Sequence, residues 1–305
     1  MKILYCISAY TDPQSLDNLI KALNCADNFF VIHIDKKVKD INRFLDIINK
    51  YPNVKMCEKR FYIQWGGWNQ VLYQELFLEE AKKQKDVDRI VILTGQDYPL
   101  WSNSRINDFF ETNPDKILMK GIDLSKVSNN SPMFRLLKIY HFGRDWHIRS
   151  YKIWRILTGV LRKIMEYLPF KKKRYIIIND RRCDIWQSSG YFSVNREQAL
   201  FILEKLKNKV LRNYFRTCFV PEEMTIPTII FNSKYRDNAD ISDSNEYRGL
   251  STLAAMHLFE YGKQIKVYSD VDFDDIKETD KIFLRKVKSG FSDTLIKRIE
   301  NELRQ

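Results

Sequence analysis

Cysteine and histidine are scarce in this chain, and neither is clustered. Its five cysteines, Cys6, Cys25, Cys57, Cys183 and Cys218, are odd in number, far apart and never in C-x-x-C spacing, and only four histidines are present. That argues against a zinc or redox centre and reads as reduced thiols in a cytosolic compartment. Also missing is any run near about 20 apolar residues, the length a membrane-spanning helix needs. The opening residues MKILYCISAY carry one lysine, a short apolar stretch and no small-residue cleavage site, so neither secretion nor a membrane anchor is expected. No internal repeat or low-complexity linker interrupts the chain.

What is present suits a globular protein. Hydrophobic residues make up 44% of the 305 residues and aromatics 13%, enough for a large core in one domain or two fused halves. The formal net charge of +12 calls for an anionic partner, whether a nucleotide, a phospholipid surface or nucleic acid.

The first 121 residues alternate strand and helix patterns in the order of a doubly wound sheet. Strands are predicted over Ile3–Ala9, Phe29–Asp35, Val54–Cys57, Arg89–Thr94 and Lys116–Met119. Helices are predicted over Ser15–Ala26, Ile41–Lys50, Trp68–Lys83 and Ser104–Glu111, with a turn at Gly95–Pro99. After Gly121 the pattern weakens. A strand at Ser188–Val194 and helices at Glu197–Lys207, Glu222–Phe231 and Thr294–Leu303 are the elements predicted there; Pro221 would open the second of these helices and Pro227 would cut or kink it.

Polar residues directly after a strand are the first candidates for ligand contact in an open α/β sheet. His33-Ile34-Asp35-Lys36-Lys37 and Thr94-Gly95-Gln96-Asp97-Tyr98-Pro99 occupy such positions, although the first also fits a solvated charged strand end. The second string carries one carboxylate, Asp97, where a metal-holding D-x-D would carry two. Asp86-Val87-Asp88 precedes its strand, and Asp270-Val271-Asp272 opens a short helix, so both D-x-D strings read as surface or cap residues. Val220-Pro221-Glu222-Glu223 puts two acids at a predicted helix start. There they either complement the helix dipole or supply a general base.

Six strings in order make the chain similar to the core-2/I-branching N-acetylglucosaminyltransferase family, which also holds the peptide xylosyltransferases. They are Val31-Ile32-His33-Ile34-Asp35 with Lys37, Trp65-Gly66-Gly67, Leu93-Thr94-Gly95-Gln96-Asp97-Tyr98-Pro99, Ser189-Gly190-Tyr191-Phe192 with Arg196-Glu197, Pro221-Glu222-Glu223, and Phe283-Leu284-Arg285-Lys286. The resemblance implies an α/β, GT-A-like fold with a Rossmann-like nucleotide-binding half (1–121), an acceptor and catalytic half (122–305) and a mixed central sheet. It implies inverting transfer from a UDP-sugar with no obligatory metal and no other cofactor. Glu223 matches the family's base, and Lys286 the lysine that meets the diphosphate. The family's arginine has no counterpart at the ungapped distance, where Lys263 stands; Arg248 is the nearest arginine and Lys266 a further candidate. His33, Asp35, Trp65, Gly66 and Asp97 carry over to the nucleotide sugar, and Arg135, Lys138, Ser189 and Glu222 to the acceptor. By family weight the sugar is N-acetylglucosamine, ahead of xylose, galactose and glucose, and the product a surface polysaccharide.

Residues 149–174 hold nine basic residues against one acid, Glu166. Apolar residues at Ile153, Leu157, Val160, Ile164 and Leu168 make an amphipathic helix, followed by Lys171-Lys172-Lys173-Arg174. Such a helix either lies on an anionic membrane at 151–174, with a lipid-linked glycan as acceptor, or packs its stripe on the domain. Two other classes compete. A nucleic-acid-binding protein would share the charge but leave the strand-end strings unexplained, so no nucleic acid is expected. A glycoside hydrolase needs two carboxylates flanking one bond, which adjacent Glu222 and Glu223 cannot provide.

Overall fold

The computed structural model describes residues 1–128 and 132–305, without the side chains of residues 132, 133 and 135. Thirteen strands occur among the described residues: β1 (Ile3–Ala9), β2 (Asn28–Ile34), β3 (Val54–Met56), β4 (Arg89–Thr94), β5 (Asp97–Pro99), β6 (Ile117–Asp123), β7 (Tyr175–Ile178), β8 (Arg181–Asp184), β9 (Trp186–Gln187), β10 (Ser193–Asn195), β11 (Ala239–Ile241), β12 (His257–Leu258) and β13 (Phe283–Arg285). The central sheet runs β11-β6-β10-β4-β1-β2-β3, with β9 paired to β6. β3, β2, β1 and β4 are parallel, whereas β10 is antiparallel to both β4 and β6. The sheet is therefore mixed, as predicted, and draws strands from both sides of Gly121.

β1 explains why the sheet lies in the middle. Its residues are apolar on both faces, the pattern of a strand covered on each side. Leu4 and Cys6 pack with Phe77 from the helix Asn69–Lys83, while Ile3, Tyr5 and Ile7 pack with Leu16 and Leu19 from the helix Pro13–Leu23. A small second sheet, β12-β13-β5, closes one end over a core of Tyr98, Leu284, Leu295 and Ile299. All five cysteines are free.

Three expectations need correction. The predicted strand Ser188–Val194 forms only at its end, in β10, because Ser189 Oγ accepts from Tyr191 N–H and donates to Tyr191 C=O, folding a turn between β9 and β10. The predicted helix Glu222–Phe231 is a 3-10 turn, Pro221–Glu223, followed by a helix over Thr225–Phe231. Pro227 thus falls in a first helical turn, where its missing N–H costs no intrahelical bond.

The third concerns the basic stretch. The helix forms over Tyr151–Tyr167, but only Trp154 and Thr158 are buried, so its apolar stripe does not pack on the domain. The polybasic end does. Lys172 is buried and donates to Tyr214 C=O and Thr217 Oγ1, Arg174 donates to three carbonyls at Leu124, Ser125 and Val127, and Lys171 closes the helix end by donating to Met165, Glu166 and Leu168 C=O.

Candidate active site

A cavity of about 350 Å³ opens beyond the carboxyl ends of β1, β2 and β4, where Ala9, Asp35 and Thr94 line it. This is the end of an open α/β sheet at which ligands bind. The second half of the chain supplies the facing wall through Gly190, Tyr191, Glu222, Glu223, Tyr261 and Arg285.

The glutamate pair sits on a strained turn. Val220 adopts φ +47° and ψ +55°, a left-handed conformation that a β-branched residue enters only at a cost of about 1–3 kcal/mol. The 3-10 turn that follows points both carboxylates into the cavity wall. Gln187 donates from Nε2 to Glu223 Oε2 at 2.9 Å, and Gln70 donates from Nε2 to Glu222 Oε1 at 2.6 Å. Burial raises the pKa of Glu223 to about 7, against the stabilising Gln187 bond. Glu222 is pushed up further, by burial and then by the charge of Glu223, and its Oε2 has no protein partner. Burial therefore favours the neutral form of both carboxyls, and the charge of either one opposes ionisation of the other.

Opposite them, Arg285 lines the cavity with its guanidinium 4.6 Å from the centroid of the Tyr191 ring. β13 runs antiparallel to β5 so that Arg285 faces Asp97, and Nη1 donates to Asp97 Oδ1 at 2.9 Å. The other oxygen of Asp97 accepts from Thr94 N–H at 2.7 Å and lies 3.1 Å from His257 Nε2. Asp97 is fully buried, and His257 and Arg285 hold its pKa down at about 2. Asp97, carried over from the family to the nucleotide sugar, therefore does not line the cavity; it fixes the arginine that does.

On the β2 side, His33, Asp35, Lys37 and Trp65 line the cavity. His33 Nε2 accepts from Phe61 N–H at 3.0 Å, and burial lowers its pKa to about 4, so the imidazole is neutral. Asp35 Oδ1 accepts from the N–H groups of Lys37 and Ile63, and its Oδ2 is 3.4 Å from Lys37 Nζ. Trp65 stands 59% exposed at the mouth, edge-on to Phe219. Gly66 does not line the cavity. It has φ +70°, and a Cβ there would lie 3.0 Å from the Phe219 ring. Its N–H donates to Gln70 Oε1 at 3.0 Å, so it orients the glutamine that meets Glu222.

Several predicted residues lie elsewhere. Lys286 does not line the cavity, because its main chain is held between Lys266 and Tyr268. Arg248 is exposed beside Glu246 at 3.8 Å, and Lys263 is exposed in the loop after Tyr261. Lys266 pairs with Asp272 at 2.8 Å. Ser189 is buried in its own turn, and Lys138 lines a separate small cavity with Lys172 and Tyr214. The side chain of Arg135 lies outside the described residues. Among the described residues no three His, Cys, Asp or Glu side chains are grouped to hold a metal ion. Arg285, Gln70 and Gln187 were not singled out from sequence; Arg285 stood inside the Phe283-Leu284-Arg285-Lys286 string beside the lysine that drew attention.

A family model described as Core-2/I-Branching enzyme matches residues 3–249. The chain belongs to the Core-2/I-branching enzyme family. Among curated relatives, Xylosyltransferase oxt of Drosophila melanogaster is 26% identical over 110 residues, 35% of this chain and 13% of that protein. Human Xylosyltransferase 2 is 27% identical over 149 residues, 47% of this chain and 16% of its own length. The match thus spans less than a fifth of these Core-2/I-branching relatives. Among solved structures, the galactosyltransferase LgtC in complex with donor and acceptor sugar analogues aligns with 100% of this chain and 97% of its own, at 8% identity and a TM-score of 0.42.

Proposed function

We propose that this glycosyltransferase moves a sugar, N-acetylglucosamine first, from UDP to a glycan hydroxyl with inversion, in the assembly of a surface polysaccharide on the cytoplasmic side of the membrane. The observation that carries this reading is a buried carboxylate, Glu223, with a pKa of about 7 in a cavity whose wall also presents Arg285. A base with a pKa near the working pH is ionised yet still able to accept a proton. In the step, the acceptor oxygen attacks the anomeric carbon as its proton passes to Glu223, and the bond from that carbon to the UDP oxygen breaks. The electron pair leaves with the diphosphate.

Arg285 and Lys37 are the fixed positive charges that face the cavity, and in this reading they take the place of a metal at the departing diphosphate. Asp35, on β2, is the ribose contact. Xylose is the second reading for the donor sugar, favoured by the names of the curated relatives. A thermal-shift screen of UDP-sugars with and without EDTA, followed by UDP release with a glycan acceptor, tests the proposal. Stabilisation by UDP-N-acetylglucosamine that survives EDTA is expected. Stabilisation abolished by EDTA, or undiminished transfer by Glu223→Gln, would sink it.

A further inference from the structure

The helix Tyr151–Tyr167 has three faces. At 3.6 residues per turn, Trp154, Thr158, Leu161 and Met165 fall on one narrow face, turned to the protein body. Next to it Ile153, Ile156, Leu157, Val160, Ile164 and Leu168 fall within an arc of about 120°. All six are exposed, from 37% to 56%. Beyond them on the far side stand Lys152 and Lys163, and behind those Arg155 and Arg162, all exposed. Tyr167 and Phe170 extend the apolar face at 89% and 70% exposure. A contiguous apolar stripe of this size, unlike exposed apolar residues scattered singly, marks a contact surface.

We infer that this face docks on the surface of an anionic lipid bilayer, with the apolar arc in the headgroup boundary and the lysine edge against lipid phosphates. The charge pattern selects the occupant. A second copy laid face to face would bring basic edges together, whereas anionic headgroups complement them, and an apolar arc bordered by lysines with aromatic residues at its end is the build of an interfacial helix. The helix is not an ordinary loose appendage. Trp154 donates from Nε1 to Gly143 C=O at 3.1 Å, and the Arg144 guanidinium lies 4.9 Å from the Trp154 ring and 5.8 Å from that of Trp65 at the cavity mouth. A bilayer on this face therefore lies beside the opening of the cavity. The lysine run at 171–174 takes little part, because Lys172 and Arg174 are committed to the protein body.

Co-sedimentation with phosphatidylcholine vesicles, with and without phosphatidylglycerol, tests this with no sugar nucleotide present, so its outcome is independent of the transfer reaction. The native chain should sediment with the phosphatidylglycerol vesicles and not with phosphatidylcholine alone. A variant with Ile156→Ser, Val160→Ser and Ile164→Ser, all at exposed positions of the helix, should lose binding by about tenfold or more. Lys152→Gln with Lys163→Gln should weaken binding and remove much of its salt dependence. Circular dichroism of each variant checks the fold. Absence of binding by the native chain, or binding by the serine variant equal to native, overturns the inference. So does a native dimer in light scattering that the serine variant turns into a monomer without any vesicle binding, because a second copy then covers the face.

Discussion

Arg285 donates to Asp97 at 2.9 Å across the β13–β5 pair, and this contact decides which basic side chain faces the cavity. Asp97 is surrounded by Thr94, His257 and Arg285, with no exposed surface of its own. Removing the carboxylate leaves the arginine buried without its counter-charge, a change that costs about 3–5 kcal/mol. Asp97→Ala should therefore lower the unfolding midpoint in urea and weaken UDP binding together. Arg285→Lys keeps the charge but loses the planar fork, and should lower kcat by about 100-fold with a smaller change in the midpoint. Full activity in Arg285→Lys, measured as UDP release, would remove the arginine from the diphosphate.

Glu223→Gln should abolish transfer while leaving UDP binding intact, and it should also alter the pH dependence of stability. Below pH 4.5 Glu223 is protonated in both the folded and the unfolded chain. As pH rises through the interval from 4.5 to about 7, the unfolded chain releases the proton that the folded chain still holds, and stability falls. The gap corresponds to about 3 kcal/mol, at about 1.36 kcal/mol per pKa unit. Glutamine does not titrate, so the advantage of Glu223→Gln over the native chain should grow from pH 4 to pH 8. Thermal unfolding across that range reads it directly, and parallel curves would mean that the carboxyl has an ordinary pKa.

In the proposed mechanism Gln187 tunes the base, Glu223. Its amide donates to Glu223 Oε2 and so favours the ionised form, the one opposing influence on a pKa that burial raises. Gln187→Leu removes the donor and keeps most of the volume. The acid limb of kcat/KM should then move to higher pH, with activity at high pH largely retained. A limb that stays in place would show that another group sets it.

The local parts of this molecule were legible and the pairings across the chain were not. β1 and β4 form over the residues their apolar runs predicted, because a strand buried on both faces needs no partner to be recognised. Glu223 was found through an ordered series of strings, and it does line the cavity. Arg285 was passed over for Lys286 because the choice between neighbours depends on how β13 registers against β5, 188 residues earlier at the Asp97 contact. The same holds for the helix at 151–167. Its period was readable, but which face meets the protein is set by Arg144 and Gly143, whose approach no spacing encodes.

Gly67 does not line the cavity and is confined by the protein itself. A Cβ there would lie 2.5 Å from Asp145 Oδ1, the carboxylate that caps the helix Asn69–Lys83 by accepting from the N–H groups of Trp68 and Asn69 at 2.9 Å each. Gly67→Ala must push that carboxylate away, and loss of such a cap costs about 0.5–2 kcal/mol. The same helix start carries Gln70, whose amide holds Glu222. The substitution should thus lower the thermal midpoint by a few degrees and reduce kcat, with UDP affinity little changed. Asp145→Ala removes the same cap without adding a methyl group, so it should reproduce the stability loss; a native midpoint in either variant would show that the helix start is held by other contacts.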